Sequence, residues 1–159
     1  MQSSPQQPQP SPPPAPIDLG IVSLLAAPGW EFYPLDDRVV GRPLNRVGGI
    51  QIVRLADDAI PPPLSHERCM AAAVAASGYQ IDPPGTDRAQ EWDESCLAGG
   101  ESFHAGGDFV RIWYRCCPDG AFAAWFACKG RRAPEKAVTK LVSQCDRMIS
   151  SLRLPLPGN

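Results

Sequence analysis

From Asp108 to Cys128 apolar and polar side chains alternate with period two on either side of a Pro118-Asp119-Gly120 turn, and from Pro134 to Leu152 apolar residues recur at helical spacing. The first stretch predicts a β-hairpin and the second an amphipathic helix. Pro118 presets φ at the first turn position and Gly120 can take a left-handed conformation, so the residues predict a type I turn with a G1 bulge and Cys117 opposite Ala121. Counting outward sets Cys116, Tyr114, Ile112 and Val110 against Phe122, Ala124, Phe126 and Cys128 on a core face. Arg111, Trp113, Arg115 and Cys117 then share the other face with Ala121, Ala123, Trp125 and Ala127. Pro134 suits the first helical position and Glu135 the positive end of the helix dipole. Val138, Leu141, Val142, Cys145, Met148, Ile149 and Leu152 form one stripe, expected to roof the core face, while Lys136, Lys140, Gln144 and Arg147 point away.

The same patterning runs upstream. LGIVSLLA (19–26), WEFYPL (30–35), DDRVVGRP (36–43) and GGIQIVRL (48–55) are short, rich in β-branched or aromatic residues and bounded by turn residues, as antiparallel strands are. Ser65 is an N-cap for a helix SHERCMAAAVAAS that stops at Gly78. Glu91 to Leu97 and Glu101 to His104 are expected to be two further strands turning at Ala98-Gly99-Gly100. Strands, helix, strands, helix describes an α+β fold, an antiparallel sheet with two covering helices.

Composition sets the boundaries. Residues 1–16 hold only Pro, Gln, Ser and Ala after Met1, too little apolar surface to fold, and are expected to be a disordered Pro-rich tether. One domain over 17–154 and a flexible tail over 155–159 follow. A net charge of −2 argues against a nucleic-acid partner, and no apolar run is long enough to span a bilayer. Six cysteines are an even set that fits an oxidising compartment. With the tether, they predict a periplasmic or extracellular domain, its link to a membrane being only a removed signal or lipoprotein anchor; a cytoplasmic protein with reduced thiols is the alternative.

APGWEFYPLDD after the first strand, GGIQIVRL leading into SHERCMAAA, and the closing MISSLRL resemble the Mog1/PsbP-like α/β sandwich family, over roughly Leu19 to Leu154. The resemblance implies a sandwich of sheet and helices and a binding or accessory role of the kind secreted bacterial lipoproteins or type VI secretion adaptors perform. It names no partner.

The chemistry-bearing residues are few. Arg111, Trp113, Arg115 and Trp125 form an expected partner-binding face, since Trp and Arg are enriched at interaction hot spots. Cys128 with Cys145 is the favoured disulfide, Cys116 with Cys145 its competitor, and Cys69 with Cys96 a second pair. Metal-ligand spacing and phosphate-loop spacing are both missing from the sequence, so neither a metal nor any other cofactor is expected. These features point to a noncatalytic protein-binding domain in an accessory or effector-neutralising (immunity-type) role, its partner a protein such as a secreted effector. The alternatives are a Cys-dependent hydrolase or thiol-redox enzyme using His66 or His104, and a cytosolic effector-adaptor chaperone.

Overall fold

The computed structural model describes residues 15–56, 58–60, 62–81, 90–93, 96–118, 120–130 and 136–153, with backbone alone at 90–93 and 96. The Pro-rich arm up to residue 14, the Pro134 and Glu135 helix start, and the tail from 154 lie outside them.

The described residues open with a small hairpin, β1 (Ile17–Asp18) and β2 (Ser23–Leu24), in place of one continuous strand over 19–26. Gly20 turns with a positive φ and donates to Asp18 Oδ1, which reverses the chain there. β3 (Trp30–Pro34), β4 (Arg38–Pro43) and β5 (Gly49–Leu55) follow as an antiparallel meander, then α1 (His66–Ser77), β6 (Gln90–Asp93), β7 (Cys96–Ala105), β8 (Asp108–Cys117), β9 (Gly120–Cys128) and α2 (Lys136–Ser150). Seven strands form one antiparallel sheet in the order β3-β4-β5-β9-β8-β7-β6. With its two helices the domain is α+β, as the patterning predicts.

The chain order explains where the helices lie. β5 ends in mid-sheet and β6 sits at the far edge, so the connection must cross three strand positions. α1 makes that crossing and packs on β7, β8 and β9. Ser65 caps it by accepting from Arg68 N at 3.2 Å, and Gly78 ends it at φ 76°. α2 follows β9 and covers the opposite face with Val138, Leu141, Cys145, Met148 and Ile149, the expected stripe.

Two apolar clusters result, one per face. Under α2 lie Trp30, Val39, Ile50, Ile52, Phe109, Trp113, Phe122, Ala124, Phe126 and Cys128. Under α1 lie Leu55, Cys69, Met70, Ala73, Val110, Ile112, Tyr114, Cys116, Ala123 and Trp125. β8 and β9 are therefore covered on both sides.

That double cover exposes an error of one residue in the expected hairpin. Cys117 pairs with Gly120, Cys116 with Ala121, Trp113 with Ala124 and Ile112 with Trp125, so Gly120 joins the ladder and the loop is two residues long. A one-residue slip exchanges the faces of every β9 side chain relative to β8. Ala98-Gly99-Gly100 is likewise no turn, because β7 runs straight through it. The reversal comes instead at Gly106 and Gly107, both at positive φ as a two-residue hairpin loop of type I′ needs.

Candidate functional site

The register decides the fate of the expected Arg-Trp face. Trp113 lies under α2 and Trp125 under α1, on opposite sides of the sheet, and they are 2% and 4% exposed. Arg111 is half-buried and paired with Asp146 of α2 at 3.0 Å, and Arg115 is buried with its guanidinium donating to the Leu152 carbonyl. Arg111, Trp113, Arg115 and Trp125 thus make two interior contacts with the helices and no outward surface.

The cysteines also differ from expectation. Cys69, Cys116, Cys128 and Cys145 are free and buried, and Cys117 is disulfide-bonded. Neither Cys128–Cys145 nor Cys69–Cys96 is a bridge. Cys116–Cys145 is ruled out by the register, which puts Cys116 beneath α1 and Cys145 beneath α2. Cys128 and Cys145 serve as small core hydrophobes. Burial pushes the Cys145 thiol well above its ordinary pKa.

Under α1 lies a polar group that the sequence did not announce. His66, in the first turn, meets the Tyr114 hydroxyl through Nδ1 at 2.8 Å and Glu101 Oε1 through Nε2 at 2.8 Å. The side chain is thus held between the helix and strands β7 and β8. Gly99 makes this fit. A Cβ there would meet the Tyr114 ring and hydroxyl at 2.9 Å and His66 Nδ1 at 3.1 Å. Burial raises the Tyr114 phenol far above its usual pKa. His104 stands exposed near the end of β7 against Phe109, well away from this group.

Beyond α1 the same sheet face is open. Along β3, β4 and β5 it carries Glu31, Tyr33, Arg38, Val40, Arg42 and Gln51, the positions alternate to those that enter the α2 cluster. A cleft of about 650 Å³ lies here, with Val40, Arg42, Arg46, Gln51, Tyr79 and Lys129 in its lining. β5 pairs with β9 so that Gly49 faces Ala127, which carries Lys129 to the turn between β4 and β5. Arg46 in that turn has φ 58°, a left-handed conformation rare for a side chain of its size. The turn is fixed by Arg46 N donating to the Pro43 carbonyl and Val47 N donating to Asn45 Oδ1.

The charged residues that line the cleft are cationic, while Glu31 stands across from Arg42 on the neighbouring strand. Arg38 is engaged by Asp37 and Gln51, and Glu31 accepts from the Tyr33 hydroxyl at 2.6 Å, which raises that phenol's pKa. Arg42, Arg46 and Lys129 are exposed and form no ion pair among the described residues. No group of three or more metal-ligating side chains occurs among those residues, and none of their helices is long and apolar enough to cross a membrane.

No family model matches the chain, and no curated protein matches it. Among solved structures it is similar to a protein of Bacteroides thetaiotaomicron, at 12% identity and a TM-score of 0.46, over 87% of this chain and 46% of that one. The chain thus spans less than half of that protein's length. It is also similar to the cyanobacterial PsbP protein, CyanoP, of Synechocystis sp. PCC 6803, at 14% identity and a TM-score of 0.34, over 84% of this chain and 86% of that one.

Proposed function

We propose that this domain works by binding, without catalysing a reaction, and that its open sheet face holds an acidic segment of a protein partner outside the cytoplasm. The observation that carries the reading is the cleft, where three cations without an ion-pair partner among the described residues converge in a chain whose net charge is −2. Clustered Asp or Glu side chains complement them, and complementarity of this kind steers encounter and sets specificity. Val40 and Tyr79 in the cleft's lining offer apolar contact to a peptide's other side chains. The disulfide at Cys117 supports an oxidising setting.

The test is fluorescence anisotropy with a labelled peptide of alternating Glu and Leu, and a Lys-for-Glu peptide as control. The acidic peptide binds, weakens as salt rises, and loses about tenfold in affinity with R42E/R46E, as expected for two exposed charge contacts of about 0.7 kcal/mol each. Equal binding of both peptides, or no loss in the charge-reversed variant, overturns the reading.

A further inference from the structure

Cys69, the fourth residue of α1, and Cys116, near the end of β8, place their Sγ atoms 3.4 Å apart where helix and sheet pack together. Both are free and buried, and neither takes part in the open face argued above to bind a partner. We propose that Cys69 and Cys116 are a site of reversible disulfide formation, closed by an oxidant of the peroxide class, that fastens α1 to β8 by a covalent bond.

The geometry is nearly that of the product. A disulfide spans about 2.05 Å, so the sulfurs need approach by roughly 1.4 Å, within reach of small side-chain rotations. A second cleft of about 520 Å³ has Cys116 in its lining, with Arg54, Ile60, Leu64 and Pro118 among others, and opens the pair to hydrogen peroxide from the Cys116 side, with Cys69 Sγ 3.4 Å behind it. The adjacent Cys117 is already disulfide-bonded, an independent sign that thiols at this end of the sheet become oxidised. The two thiols also differ in acidity as the chemistry requires. Cys69 accepts the Cys116 S–H and is held below its ordinary pKa, whereas Cys116, donating that bond and buried, is pushed up.

The reaction balances without further reagents. The Cys69 thiolate attacks one peroxide oxygen and the O–O bond breaks; the sulfur becomes a sulfenic acid, and the departing hydroxide takes up the thiol's proton as water. The Cys116 sulfur then attacks the sulfenic sulfur. The S–S bond forms as the S–O bond breaks, and the Cys116 proton leaves with the hydroxide as a second water. Two thiols lose two electrons, and one hydrogen peroxide is reduced to two waters.

The test is to treat the folded full chain with hydrogen peroxide, block remaining thiols under denaturing conditions, and map cross-links by tandem mass spectrometry that separates Cys116 from Cys117. A Cys69–Cys116 link appears and is removed by dithiothreitol. Because it closes a span of 47 residues, it raises the thermal unfolding midpoint by about 10 °C. C69S and C116S each abolish that shift. Recovery of Cys69 and Cys116 as blocked thiols, or of either joined to a different cysteine, overturns the proposal. Mapping the unsubstituted chain decides the matter even if both variants fail to fold.

Discussion

Trp113 and Asp146 are joined by a 2.7 Å hydrogen bond from the indole Nε1 to Oδ1, and the same oxygen receives Arg111 Nε at 3.0 Å. One carboxylate thus answers a buried indole N–H and a half-buried guanidinium, and it fixes α2 to β8 at a polar point within an apolar interface. Removing it strands both donors. D146A is expected to lower stability by about 1–3 kcal/mol in urea unfolding, with the slope unchanged, and D146N to recover part of that loss because it keeps an oxygen acceptor. An unaltered midpoint in D146A would show that the contact contributes nothing.

Glycines 99 and 100 stand where two large rings cross β7. A Cβ on Gly100 would overlap Trp113 Cδ1, and one on Gly99 would press on Tyr114 at 2.9 Å. G100A is expected to cost about 2–3 kcal/mol and G99A about 1–2 kcal/mol, through displaced rings. Thermal unfolding of the two variants side by side checks the order.

The His66 cluster makes a separate demand. Tyr114→Phe removes the hydroxyl that meets His66 Nδ1 at 2.8 Å while keeping the ring. A loss of about 1–2 kcal/mol is expected, read by chemical denaturation. If the variant is as stable as the parent, the network is ornamental to folding.

Alkali should unfold this domain early. Cys116, Cys145 and Tyr114 all have folded pKa values raised above their ordinary values of 9.0, 9.0 and 10.0, mainly because Cys116 donates to Cys69 and because burial disfavours the charged forms of Cys145 and Tyr114. Raised values mean that the folded state holds protons the unfolded chain has already released, so the stabilisation is complete below pH 9. It declines as pH rises past 9 toward the folded values, at up to about 1.4 kcal/mol per pH unit for each group. Urea midpoints measured from pH 7 to 11 test this, and C145A is expected to flatten the decline.

How much of this could be read from the chain depended on whether one physical signal dominated. The ends of α1 were legible because Ser65 and Gly78 act locally, and the α2 stripe because one face of that helix is wet. The register of β9 was not. In AFAAWFAC both alternate sets are apolar, since α1 covers one and α2 the other, and a strand buried on both sides carries no phase. Gly99 and Gly100 looked like a turn because a sequence does not show which ring a missing Cβ makes room for. Arg42, Arg46 and Lys129 converge only through the pairing of β5 with β9, a long-range contact. The one hint lay in the Arg38, Val40 and Arg42 alternation of a strand with one solvated face.

Ser23 and Arg153 exchange backbone hydrogen bonds, each N–H to the other's carbonyl at 2.9 Å, and Leu25 N adds a bond to Ser151 Oγ. The first hairpin and the segment after α2 therefore meet, and Leu19, Val22 and Leu24 enter the α2 cluster there, on the face opposite the cationic cleft. A short linker across this seam, with the chain reopened at Gly106 and Gly107, should give a circular permutant with the same sheet. For the same reason a fluorescent protein or surface anchor joined directly before Ala15 or after Arg153 departs from the rear of the molecule and leaves the front free for capture.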